Sequence, residues 1–124
     1  MAMRLKGELQ VQALQEALDA AVVRHQALRT RFVGDIPIPS TRAPSPTPML
    51  LVDLRGVPPL QREAEARRRL EAEARRPFDL SKDLMLRTML VRLEQREWIF
   101  LVLIHHIAGD DWSWRVLCDE VAKM

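Results

Sequence analysis

Tyrosine is absent, cysteine occurs once and glycine only four times in these 124 residues. The single thiol, Cys118, cannot close an internal disulfide, so nothing asks for an oxidising compartment. No apolar run approaches the roughly 20 residues that cross a bilayer. The first ten residues are broken by Arg4, Lys6 and Glu8, unlike a secretory leader. A cytoplasmic protein without a membrane partner is the expectation. An excess of one charge is also missing, because 19 Lys and Arg stand against 17 Asp and Glu. All three tryptophans follow position 97, so aromatics do not interleave the basic residues and nucleic acid is not an expected partner. Glycine-rich phosphate loops, serine elbows and zinc-ligand spacings are absent. What is present, 48% hydrophobic and 29% charged residues, suits a folded rather than a disordered chain. The length allows one domain with a single modest core.

Residues 3–9 alternate apolar and polar side chains and suit a short strand. Val11, Leu14, Leu18 and Val22 recur at helical spacing and predict a helix over 11–26. Residues 28–32 (LRTRF) alternate again, as a second strand. Pro37, Pro39, Pro44, Pro46 and Pro48 then exclude helix or central strand and predict a surface loop. Residues 49–54 (MLLVDL) are a third strand. Pro58 and Pro59 open a helix over 59–76, with proline where its missing amide costs least. That helix is rich in Ala, Glu and Arg. A phosphate-binding patch is one reading of its arginines, but a solvated helix laced with i,i+4 ion pairs fits better. Residues 84–93 form a strand, 94–97 a polar turn, and 98–104 (WIFLVLI) a central strand buried on both faces. A last helix begins near Trp112. The order β-α-β-loop-β-α-β-β-α predicts an α+β fold, an open α/β sandwich.

Chemistry concentrates at His105-His106-Ile107-Ala108-Gly109-Asp110-Asp111-Trp112-Ser113. Two histidines stand at the end of the most buried strand, where a rigid scaffold can present reactive groups. Neighbouring strand residues point to opposite faces, so one histidine faces a site while the other packs inward or orients the turn. An imidazole with a pKa near 6.5 exchanges protons at neutral pH. A carboxylate four or five residues on either holds that ring or locks the loop by pairing with an arginine. Competing readings are weaker. A metal site wants converging ligands, whereas vicinal histidines diverge, so no metal is expected. A structural histidine pair fits the clustered aspartates poorly. Cys118 lies on the apolar face of the last helix and reads as core rather than as a nucleophile.

At these residues the chain resembles the condensation domains of nonribosomal peptide synthetases, which share the chloramphenicol acetyltransferase-like fold. HHIAGDDWS at 105–113 is similar to the family's His-His-x-x-x-Asp-Gly followed by Trp-Ser, with Asp111 in place of the glycine. RHQALRTRF at 24–32 resembles Arg-His-Glu-x-Leu-Arg-Thr-x-Phe, with Gln26 for the glutamate. PFDLSKDLMLRTMLVRL at 77–93 resembles the family's Pro-Phe-Asp-Leu segment. The fold implied is a half-domain with a mixed sheet flanked by helices. The activity implied is amide-bond formation between carrier-protein-bound aminoacyl or peptidyl thioesters. His106 would be catalytic, as general base or as the group that positions the amine, with His105, Trp112 and Ser113 supporting the motif. Asp110 would pair with Arg29, a better match than Arg24, and hold the loop. Near a helix N-terminus its anion is stabilised and it makes a poor base.

The resemblance implies no directly bound cofactor. Phosphopantetheine arrives on upstream and downstream carrier proteins. Residues 1–124 correspond to a single N-terminal subdomain, without the family's opening motif or its C-terminal subdomain. The isolated segment is therefore expected to be inactive, and the face that meets the other half is expected to favour self-association. Asp111 adds bulk and negative charge beside His106, either raising its pKa or capping the next helix. Two alternatives follow. An epimerization domain is suggested by Ser113-Trp114-Arg115-Val116-Leu117, and a non-catalytic docking module for carrier proteins or tailoring enzymes by Asp111.

Overall fold

The computed structural model describes residues 2–24, 47–79 and 86–104, and the backbone of 30–33 and 38–41. Its elements in order are β1 (Ala2–Lys6), α1 (Val11–Arg24), β2 (Thr30–Val33), β3 (Ile38–Thr41), β4 (Met49–Asp53), α2 (Pro59–Arg75), β5 (Leu86–Glu94) and β6 (Glu97–Ile104). They divide between two compact units. One holds Met1–Leu9, Met49–Pro77 and Thr88–Leu103; the other holds Gln10–Pro48, Phe78–Arg87 and Ile104–Met124.

The first unit is organised by a four-stranded mixed sheet in the order β1-β6-β5-β4. β1 runs antiparallel to β6, with Ala2 opposite Leu101 and Lys6 opposite Glu97. β4 runs parallel to β5, with Met49 opposite Thr88 and Asp53 opposite Arg92, and α2 makes the crossover. β5 and β6 are joined by the two-residue turn Gln95-Arg96, a connection open only to antiparallel neighbours. The continuous apolar run of β6 demands cover on both faces. It receives it, for every residue from Trp98 to Val102 is 8% exposed or less. On one face Ile99 and Leu101 join Met89, Val91 and Leu93 of β5, Leu54 and Ala66 in a single core. Ala66 is fully buried, so α2 approaches the sheet through its smallest side chain. Leu60, by contrast, is 98% exposed and belongs to no apolar stripe.

Local chemistry sets where these elements start and stop. The strand expected over 3–9 ends at Lys6, because Gly7 takes φ +112°, a conformation that L side chains rarely adopt. The Gly7 amide there donates to the Arg96 carbonyl at 2.8 Å. α2 opens without a side-chain cap, its first position taken by proline. Arg62 supplies a clasp instead, donating to the carbonyls of Val57 and Arg55 at 2.7 Å each.

In the second unit α1 buries Leu14, Leu18, Ala21 and Val22, so the stripe read from the sequence gains Ala21 while Val11 is only half-buried. Two polar side chains of α1 pin the end of the proline-rich segment. The Thr47 amide donates to Asp19 Oδ1 at 2.7 Å, and Gln15 Nε2 donates to the Thr47 carbonyl at 2.9 Å. That segment is not wholly loop as expected, since β3 lies within it and pairs antiparallel with β2, Pro39 opposite Phe32. A two-stranded ribbon is all edge, and an edge tolerates a residue that cannot donate.

Candidate functional site

The structure places the scaffold of the site. His105, His106, Asp110, Asp111, Trp112, Ser113 and Arg29 lie outside the described residues, as do Cys118 and the last helix. His105 directly follows Ile104, the final residue of β6. The double histidine therefore departs from an interior strand of the sheet, held by packing on both faces. Of the motif at 24–32, Arg24 ends α1 and Thr30, Arg31 and Phe32 belong to β2. Of the motif at 77–93, Pro77, Phe78 and Asp79 precede β5, which carries the rest of its described part.

Because β5 and β6 are antiparallel neighbours, β5 begins where β6 ends. Leu86, Arg87 and Thr88 mark that end of the sheet and are 0%, 4% and 2% exposed. The Arg87 guanidinium carbon lies 4.2 Å from the centre of the Phe78 ring, a cation–π contact joining two parts of one motif. Reasoning from residue types passes over Arg87. The signal open to it is an arginine inside the apolar run LMLRTMLV, since arginine is almost never fully buried unless paired.

The opposite end of the sheet, roughly 25 Å away along eight residues of β6, carries a different set of charges. Arg55 grips Asp53 through Nη2 at 2.7 Å and Nε at 3.0 Å, adds its amide at 3.0 Å, and reaches Gln95 Oε1 at 2.9 Å. These bonds from the Arg55 side chain, then its amide, hold the Asp53 carboxyl down at about 2. At the β1 edge, Arg4 bridges Glu97 at 2.6 Å and Glu63 at 2.8 Å, linking β1, β6 and α2. Bonding to Glu97 first, then Glu63, pushes the Arg4 guanidinium above its ordinary value. These contacts tie loops and an edge strand. Among the described residues no group of three His, Cys, Asp or Glu could hold a metal ion.

Arg68, Arg69 and Arg75 of α2, with Arg76 at its C-terminus, pair within the helix, as the ion-pair reading expects, whereas Arg62 reaches out to Glu94 of β5 at 3.6 Å. Arg68 and Arg69 both bond Glu65, Arg75 lies 3.9 Å from Glu71, and Arg76 lies 2.8 Å from Glu73. Hydrogen bonds from Arg68, then Arg69, hold Glu65 at about 2. A carboxyl whose folded pKa lies below its unfolded value contributes stability above the unfolded value and loses it as pH falls through the folded one. Glu65 should therefore contribute above about 4.5 and cease to contribute by about 2. Glu65→Gln is expected to flatten the decline in thermal stability across that window, read by circular dichroism in acid. An unchanged acid profile would refute the assignment. The effect should be small, because the pair is solvated.

A mixed four-stranded sheet with helices, in an α+β arrangement, is the architecture of the chloramphenicol acetyltransferase-like fold. The condensation-domain family model matches residues 1–124, and the chain belongs to that family. It is 40% identical over 121 residues to one of the linear gramicidin synthase proteins of Brevibacillus parabrevis, covering 96% of this chain and 2% of that protein. Among solved structures, the X-domain from teicoplanin biosynthesis superposes with a TM-score of 0.85 at 32% identity, covering 98% of this chain and 26% of that one. That X-domain is also solved in complex with OxyB. The condensation enzyme VibH superposes with a TM-score of 0.79 at 24% identity over 98% of this chain and 28% of its own, a likeness of fold. The chain thus spans a small fraction of the synthetase and about a quarter of the solved domains. Among the described residues, no helix is long and apolar enough to cross a membrane.

Proposed function

We propose that this chain is the histidine-bearing part of a catalytic condensation domain, acting in the cytoplasm on acyl and aminoacyl thioesters presented by carrier proteins. The observation that carries the reading is HHIAGDDWS following directly on the buried strand β6, in a chain matched from end to end by the condensation family. In the reaction the acceptor's α-amine attacks the donor's thioester carbonyl. The amide bond forms, the carbon–sulfur bond breaks, and the amine's proton passes to the departing thiolate. His106 takes that proton as general base or holds the amine in line. Asp110 and Arg29 hold the loop. Each phosphopantetheine arm enters with its carrier, and the remaining part of the domain supplies the other wall, so the isolated segment is inactive.

A second reading has an observation of its own. The 32% identity to an X-domain, together with Asp111 at the motif's glycine, supports a platform that docks a carrier or a tailoring enzyme without turnover. The experiment is to load donor and acceptor carrier domains and follow dipeptide release with the whole domain that carries this segment. Dipeptide formation supports condensation. Carrier binding with no dipeptide supports docking, and exchange of the donor's α-proton in deuterated water supports epimerization.

A further inference from the structure

The two outer strands of the four-stranded sheet treat their free edges differently. Among the described residues β1 pairs with β6 alone and β4 with β5 alone, so each leaves a row of backbone donors and acceptors without a ladder partner. A free edge recruits another strand unless charge, proline or a bend blunts it. β1 is blunted, because it carries Arg4 and Lys6 and Gly7 turns the chain at its end. β4 is not. Its sequence, MLLVD, runs through four apolar residues before its only charge, Asp53, and Arg55 already grips that carboxylate. Leu50 and Leu51 are 51% and 58% exposed, although β5 beside them is buried along most of its length. Neighbouring strand residues point to opposite faces. Val52 packs against the core on the α2 face, so Leu50 shares that face and Leu51 emerges on the other. This edge is therefore apolar and exposed on both faces.

What fits such an edge follows from its own residues. An antiparallel twofold pairing centred on Leu51 sets Leu51 against its copy, Leu50 against Val52 on the other face, and Met49 against Asp53. It engages the whole strand, meets apolar with apolar through the middle and brings no like charges together. The same operation on β1, centred on Arg4, sets Arg4 against Arg4. We propose that the free edge of β4 is an interface for a second copy of this chain, which adds its own β4 and continues the sheet across a twofold axis. The charge pattern selects that occupant, since β4 complements itself and β1 repels itself. The proposal does not depend on whether the histidine segment turns over substrate.

The test is the mass of the 124-residue chain in solution, followed by sedimentation velocity over a range of concentrations. A reversible monomer–dimer equilibrium is expected. Because Leu51 meets its own copy, Leu51→Lys and Leu51→Glu should each weaken the dimer roughly tenfold or more by setting like charges face to face. Mixing the two variants should restore it, a rescue that neither misfolding nor general stickiness produces. Ala2→Lys, on the other outer strand, should leave the dimer unchanged. Leu51 is more than half exposed, so both of its variants should keep the circular dichroism of the parent. Hydrogen exchange of the unsubstituted chain needs no variant: amides within residues 49–53 should slow as concentration rises, while those of β1 keep their rates. A monomer at every concentration, a dimer untouched by the Leu51 variants, or a mixture that restores nothing would each overturn the proposal. So would species growing beyond the dimer, which mark joining of β1 to β4. Slow β4 amides in a monomeric whole domain would also overturn it, by assigning the edge to the rest of that domain.

Discussion

Dipeptide formation is expected to fall about 10²- to 10⁴-fold when His106 is replaced by alanine in the domain that carries this segment, the range typical of losing a positioned acid–base group. The reason lies in β6. A strand whose five central residues are all 8% exposed or less cannot shift to bring another group into place. Two histidines follow that strand directly in the sequence. Neighbouring residues of a strand point to opposite sides, so the condensation reading assigns the substrate to one of the two. The matching control is therefore His105→Ala, whose loss should appear mainly as reduced stability. Release of dipeptide from loaded carriers, measured in single turnover, separates the outcomes. Retention of turnover within about threefold in His106→Ala, far short of the usual loss, would reject His106 as the reacting histidine. Unchanged carrier binding in the same variant is expected under both readings, so turnover decides.

Much of this fold is legible in the sequence because its elements obey local rules. The seven-residue apolar run of β6 has one stable environment, an interior position, and that is where it lies. The spacing of Leu14, Leu18 and Val22 likewise fixes the buried face of α1. Departures arise where a non-local partner or a single backbone angle decides. Pro39 sits in a strand because β2 accepts it across a ribbon with two free edges, a pairing that no local signal at positions 38–41 reveals. Gly7 stops β1 early because its positive φ turns the chain before the apolar alternation ends. Arg87 reads from sequence as one more arginine among 19 basic residues, and only its burial against Phe78 distinguishes it. The acid–base candidates themselves follow from residue type and from their place after the strand, and they, like the Arg29–Asp110 pair, fall on residues outside the described structure.

Phe100→Ala is expected to destabilise the chain by about 3–5 kcal/mol, the usual cost of emptying a buried aromatic site. Phe100 is fully buried in the middle of β6, among the largest side chains wholly withdrawn from water. Its strand is flanked by β1 on one side and β5 on the other, so neighbouring backbone cannot collapse into the space without breaking ladder pairing. Met3 stands opposite Phe100 across the β1 ladder, and its flexible thioether chain is the group best able to relax toward the gap. Relaxation of that kind would move the cost toward the lower end of the range. Set against the roughly 5–15 kcal/mol that separates folded from unfolded small domains, the loss removes at least about a fifth of the total. Leu60→Ala supplies the contrast: the same kind of truncation at a side chain 98% exposed should stay within about 0.5 kcal/mol. Urea unfolding of both variants reads the difference directly in midpoint at constant slope. A loss below about 1 kcal/mol for Phe100→Ala, far under the usual range for such a site, would mean that β6 is not the packed interior strand on which the histidine end depends.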